Sequence, residues 1–189
     1  MSPLPDPRRV VTGHDEAGNA IFVADSLAHM APTSVECDFT VLYETHQFPA
    51  SNDVWEDPML TRTMNLANEK GLVLRCVDFK PNTKTLFHRT ESLDFGIVFS
   101  GEIVYLDNGV ELTLKAGDVC VQRGTIHGWD NRTDQTTRIY FLLTGKCFEQ
   151  SDLVTVAKDD LAATPVKIGD KVLGEHGFDP KDVESGGQL

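Results

Sequence analysis

A chain of 189 residues that is 40% hydrophobic, 8% aromatic and 24% charged, with 15 Gly and 9 Pro, has ordinary globular usage and enough length to bury one core. Collagen, coiled coil and wholesale disorder are excluded. Lys and Arg number 17 against 29 Asp and Glu, a net charge of −12; so acidic a surface repels phosphate backbones and anionic lipid heads, and neither a nucleic-acid nor a membrane partner is expected.

Residues Met1 to Val11 lack the apolar centre of a signal peptide, and no apolar run nears the roughly 18 to 20 residues that span a bilayer, so a soluble, cytoplasmic protein is expected. Val10 to Val23 holds two short apolar runs around His14–Asn19, the pattern of a hairpin with a polar connection. Phe39–Tyr43 reads as a strand. The polar, Pro-containing stretch from Gln47 to Pro58 is long for a connection; it is a surface loop or, less simply, a lid.

Strand signals crowd the interval from Gly71 to Leu143: Leu72–Phe79, Ile97–Phe99, Ile103–Leu106, Val110–Leu114, Val119–Val121 and Arg138–Leu143, separated by turn residues such as Asn108-Gly109 and Ala116-Gly117-Asp118. Val110, Leu112 and Leu114 alternate with Glu111, Thr113 and Lys115, the period of a half-buried strand. Short strands at this spacing predict an all-β sandwich or barrel. Phe87, Phe95, Phe99, Tyr105 and Tyr140 are expected in its core. Asp159–Ala163 is expected to open a short helix, and Pro180–Leu189 to form a frayed tail. The organisation expected is one structural domain: N-terminal strands and loop over 1–70, the barrel over 71–148 and a C-terminal extension over 149–189.

Cys37, Cys76, Cys120 and Cys147 show no C-x-x-C pairing and are expected as free thiols. Asn131-Arg132-Thr133 matches a glycosylation sequon by chance, since no secretory signal accompanies it. His14, His29, His46 and His176 are expected on the surface.

The chemistry concentrates in two stretches. If the segment from His88 to Asp94 is extended, His88, Thr90, Ser92 and Asp94 share one face and carry imidazole, hydroxyls and carboxylate into an apolar interior. A second imidazole, His127, follows the turn at Arg123-Gly124, where strand pairing can bring it opposite the first. Arg89 has the opposite parity and is expected outward or paired with an acid, with substrate contact as the alternative. Arg123 can reach a substrate carboxylate in bidentate fashion, and Trp129, sharing parity with His127, can wall a pocket.

At these residues the chain resembles the cupin superfamily. The family's first motif, G-x5-H-x-H-x3,4-E-x6-G, maps with Asn82 at its first glycine, His88 at its first histidine, Thr90 at its second, Asp94 at its glutamate and Gly101 at its last glycine. The second, G-x5-P-x-G-x2-H-x3-N, maps onto Gly117, His127 and Asn131, with Arg123-Gly124 replacing the proline-glycine turn one residue shorter. The similarity runs from about Arg8 to Leu143, and it extends to a subgroup of small single-domain cupins with an H-R-T-x-S-x-D first motif, found in bacteria and in fungal secondary-metabolite clusters.

The resemblance implies a double-stranded β-helix, or jelly-roll, barrel and a homodimer. It also implies a metal set reduced from three histidines and a glutamate to His88, His127 and Asp94, a two-histidine-one-carboxylate group suited to Fe, Zn, Mn or Ni, with an empty, metal-free site as the alternative. The function expected is an enzyme for a small organic substrate, catalysing a lyase or isomerase step such as dehydration, decarboxylation or proton transfer. His88, His127 and Asp94 would exchange protons, Arg123 would stabilise an oxyanion, and Thr90, Ser92, Trp129 and Arg89 would contact the substrate. The alternatives are an Fe(II)-dependent oxygenase on the same ligands and a non-catalytic small-molecule-binding barrel.

Overall fold

A computed structural model describes residues 2–33, 37–52, 55–60, 68, 70–85, 87–90, 92–107, 109–145, 165–168, 171–175 and 177–178. The helix expected at Asp159–Ala163, the tail Pro180–Leu189, Asn108, Cys147 and His176 lie outside the described residues.

The N-terminal hairpin forms as its sequence predicts: β1 (Arg8–His14) pairs antiparallel with β2 (Ala20–Leu27), and Asp15 Oδ1 accepts the backbone N–H groups of Ala17 and Asn19 in the connection. Next come β3 (Ala31–Pro32) and β4 (Cys37–Glu44), then a short 3-10 turn at Pro58–Leu60. The barrel is completed by β5 (Leu72–Phe79), β6 (Thr83–Lys84), β7 (His88–Arg89), β8 (Leu93–Ser100), β9 (Glu102–Asp107), β10 (Val110–Lys115), β11 (Val119–Arg123), β12 (Ile126–Asn131) and β13 (Thr137–Thr144). Beyond them lie β14 (Pro165–Ile168), β15 (Lys171–Glu175) and β16 (Gly177–Phe178). Among the described residues no helix is long and apolar enough to cross a membrane.

Two six-stranded sheets, β11-β8-β13-β5-β4-β3 and β10-β9-β12-β7-β16 with β6 also on β12, are accompanied by two separate pairs, β1-β2 and β14-β15; among the described residues every ladder is antiparallel. The two inner faces close on Val77, Phe79, Val98, Ile103, Leu114, Trp129, Ile139, Phe141 and Leu143, giving a barrel, as the strand spacing predicts, of the jelly-roll form that the resemblance implies. Burial follows parity. In β8, Asp94, Gly96 and Val98 point inward, so Phe99 lies on the outer face and is 61% exposed, contrary to its expected place in the core. In β10 only Leu114 is buried, while Val110 and Leu112 are exposed, because β10 is an edge strand with a neighbour on one side only.

Two turns show where the first motif tolerates a departure and where it does not. Asn82, at the position where the family has glycine, sits at φ +55°, a left-handed conformation that Asn accepts better than most side chains. Gly101 keeps its glycine for two reasons: φ is +83°, and a Cβ there would stand 2.5 Å from Thr137 Oγ1.

Outside the barrel, Arg138 pairs bidentately with Asp78 at 2.6 and 2.7 Å, both side chains buried, and its third nitrogen donates to the Pro5 carbonyl, tying the N-terminal arm down. The loop after β4 is docked rather than free-standing: Trp55 stacks on Tyr43, and Asp57 pairs with Arg9. Cys37, Cys76 and Cys120 are free thiols, as expected. Burial pushes the Cys76 thiol up to about 12.

Candidate active site

The barrel has an apolar end and a polar end. Asn131, fully buried, donates through Nδ2 to the carbonyls of Phe79, Lys80 and Gln135, which fixes it where β5 finishes. The asparagine of the sequon is therefore a structural clamp. His127, four residues earlier in β12, lies toward the opposite end, where β5 begins. Asp94 occupies that same end, since its partner on β13 is Leu143, which in turn pairs with Val73.

His88 and His127 are Cα partners across β7 and β12, and their rings meet edge to face with centroids 4.3 Å apart. His127 is 2% exposed. Its Nδ1 stands 2.9 Å from the Thr125 carbonyl, which can only accept, so Nδ1 carries the hydrogen and the Nε2 lone pair is left available. Tyr105 stacks on the same ring at 5.8 Å and bonds the Thr125 hydroxyl at 3.0 Å, while Trp129 meets the ring edge-on at 6.3 Å. Burial, reinforced by the neighbouring His88, pulls the His127 pKa down to about 3, so the imidazole is neutral at ordinary pH.

Asp94 is buried on the facing sheet, opposite Gln122 of β11. Thr90 Oγ1 donates to its Oδ2 at 3.0 Å, while Oδ1 is buried without a hydrogen-bond partner among the described residues. Burial pushes the carboxyl pKa up, against the opposing pull of Ser92, Thr90 and the Arg75 charge. Arg75 extends the polar end. It sits at an inward position of β5 between Val73 and Val77, its charge faces Asp94 and Glu44, and its guanidinium lies 5.7 Å from the Phe39 ring. Burial lowers its pKa to about 10, which still leaves it charged at neutral pH. Glu44 is buried too, with Oε1 3.1 Å from Nε2 of the half-exposed His46.

Several expected roles change. The segment from His88 to Asp94 is not one extended strand. It leaves one sheet after Arg89 and enters the other at Leu93, and that corner brings the Thr90 hydroxyl onto Asp94, residues that a straight strand would hold roughly 13 Å apart. His88 and His127 come together, but Asp94 does not join them: among the described residues no group of three His, Cys, Asp or Glu is placed to hold a metal ion. Thr90, standing where the family has a second histidine, is bonded to the carboxylate instead. Among the described residues, the His88, His127 and Asp94 set that the resemblance implies is not brought together as a three-ligand group.

Arg123 lies exposed on the outer side of β11 because Gln122 takes the inward position; it does not reach the interior. Arg89 donates to the Gly124 carbonyl at 2.7 Å and braces the corner against the neighbouring turn. Ser92 is buried beside Asp94. Trp129 packs between Tyr105 and Phe141, with centroids at 5.1 and 5.2 Å, as part of the core under the histidines. Arg75, Glu44, Gln122 and the stacking role of Tyr105 were not singled out by the sequence reading. For Arg75 the signal was present, a charge at the parity of β5 that is otherwise apolar, with Val73, Val77 and Phe79.

A cupin-domain family model matches residues 75–143, which spans the corner and both histidines. The chain is 34% identical over 180 residues to phomopsin biosynthesis cluster protein C' of Diaporthe leptostromiformis, covering 90% of this chain and 86% of that protein. It is 33% identical over 167 residues to the cupin-domain-containing oxidoreductase fogC of Aspergillus ruber, covering 80% and 82%. It is 34% identical over 143 residues to the cupin-domain-containing oxidoreductase virC of Hypocrea virens, covering 71% and 74%. With the barrel, the paired histidines and relatives matched over most of their length, the chain belongs to the cupin family.

Proposed function

We propose that the chain is an enzyme that binds a small organic molecule at the polar end of its barrel and moves a proton on it, a lyase or isomerase step within a biosynthetic sequence. The observation that carries this reading is Asp94. It is a buried carboxyl whose pKa is pushed above the usual range, with Oδ2 held by Thr90 and Oδ1 unpartnered. A carboxylate shifted upward is a better base than an exposed one and a usable acid once protonated. Because Thr90 donates to Oδ2, Oδ1 is where a proton arrives and from which it leaves. In the step, Oδ1 takes a proton from a carbon beside a carbonyl, and the C–H electron pair becomes an enolate. Where a β,γ double bond is conjugated with the enolate, the proton returns at the γ-carbon and the double bond migrates; where a β-hydroxyl is present, it is expelled and leaves with that proton as water. The neutral His127, with its lone pair on Nε2, accepts a hydrogen bond from a substrate hydroxyl and orients it.

A second reading, an oxidoreductase, is favoured by the names borne by the fogC and virC relatives. One experiment separates the two. Disruption of the gene in its own organism and mass spectrometry of the compound that accumulates supply the substrate, which is then incubated with the purified protein in D2O under argon. Proton transfer gives turnover without oxygen, deuterium in the product, and either no change of composition or loss of water. Turnover only with oxygen or another oxidant, with loss of two hydrogens or gain of oxygen, sinks the proposal and establishes the second reading.

A further inference from the structure

Gln122 and Asp94 are Cα partners on β11 and β8, so their side chains stand on the same inner face about 5 Å apart at the Cβ atoms. Both residues are 2% exposed. Gln122 Nε2 and Asp94 Oδ1 are buried without hydrogen-bond partners among the described residues, and they do not bond each other. Native proteins rarely leave two such groups adjacent, and a donor beside an acceptor in one buried position points to a ligand that satisfies both. Of the neighbouring groups, the Thr90 hydroxyl bonds Asp94 Oδ2, His127 Nδ1 the Thr125 carbonyl and Arg89 the Gly124 carbonyl, while Ser92 pulls on the Asp94 carboxylate by hydrogen bonding and the Arg75 charge faces it.

We infer that Gln122 is a catalytic residue, its Nε2–H donating to the carbonyl oxygen of an enolisable ketone or aldehyde while Asp94 Oδ1 faces the α-carbon hydrogen. The inference rests on the proton-transfer reading above and adds the substrate class and the oxyanion donor. As Oδ1 takes the α-proton, the C–H pair moves into the carbonyl, and the negative charge develops on the oxygen that Gln122 holds. A neutral amide supplies that bond from within the barrel, the task the sequence had offered to Arg123.

The test uses cyclohexanone and acetophenone, minimal enolisable ketones, as probes. Exchange of their α-hydrogens for deuterium in buffered D2O is followed by proton NMR with the full-length protein. Wild type is expected to accelerate exchange over buffer, Asp94→Asn to abolish the acceleration, and Gln122→Met, which keeps chain length but loses the donor, to reduce it by about 100- to 1,000-fold. Gln122→Leu is the second variant. It also loses the donor but is branched and shorter than Met, and exchange should fall as far, so the inference stays testable if Gln122→Met fails to fold. Loss with Asp94→Asn but retention within about threefold in the foldable Gln122 variants would overturn the role of Gln122 alone and leave the proton-transfer reading standing, since losing even a neutral hydrogen bond of about 1 kcal/mol amounts to about fivefold. No acceleration by wild type, or acceleration indifferent to Asp94→Asn, would overturn both.

Discussion

Acid should destabilise this protein through one residue in particular. In the unfolded chain His127 titrates near 6.5, whereas in the barrel its pKa is lowered to about 3, first by burial and then by the neighbouring His88. Between those values unfolding takes up a proton, so the contribution of this residue is fully present above pH 6.5 and is lost as pH falls toward 3. At about 1.4 kcal/mol per unit, the loss amounts to about 2 kcal/mol by pH 5 and about 5 kcal/mol by pH 3. For a chain of this size, 2 kcal/mol corresponds to a fall in Tm of about 4–8 °C. Urea unfolding of wild type and His127→Gln at pH 7, 6 and 5 isolates the effect. Gln cannot titrate, so whatever packing it loses is the same at every pH, and the stability advantage of wild type should shrink by about 2 kcal/mol between pH 7 and pH 5. A difference that stays constant over that range would refute the argument that His127 is held neutral by its surroundings.

Breaking the buried pair behind the barrel should cost more than any surface change. Arg138→Met leaves Asp78 inside the protein without its bidentate partner and frees the Pro5 carbonyl, a loss of about 3–5 kcal/mol by urea unfolding; a loss below about 1 kcal/mol would mean that the pair is solvated. Gly96→Ala should cost about 1–3 kcal/mol, because the new Cβ would stand 3.1 Å from both Trp129 Cη2 and Phe141 Cε1 and one ring must yield. The Trp129 near-ultraviolet circular dichroism should change with it, and an unchanged spectrum at unchanged stability would show that the inner faces are looser than their contacts imply.

The fold was legible because strand period and turn chemistry agree along most of the barrel. Leu72–Phe79, Phe39–Tyr43 and Arg138–Leu143 are apolar runs of strand length bounded by turn residues, and each lies within a strand. What sequence could not show is where one sheet passes into the other. Reading His88 to Asp94 as a straight face placed four side chains together correctly as inward groups, yet missed the corner that folds Thr90 onto Asp94. Parity alone also cannot tell a central strand from an edge, which is why Val110 and Leu112 were expected inside and stand in solvent. The two-residue strands β3, β6, β7 and β16 are too short to carry a period, and β16 pairs with the very strand that bears His88. The histidines were legible from motif spacing. Gln122 and Arg75 were not, since their roles depend on what faces them from strands distant in the chain.

The proton-transfer chemistry turns on the carboxyl of Asp94. Carbon-13 labelling of aspartate carboxyls, with the Asp94 resonance assigned by its absence in Asp94→Asn, gives its titration directly. A midpoint above the ordinary aspartate value of 3.8 is the expected result, as burial outweighs Ser92, Thr90 and Arg75. A midpoint at or below 3.8 would leave an ordinary ionised aspartate locked to its neighbours, and the proton-transfer role would fall with it.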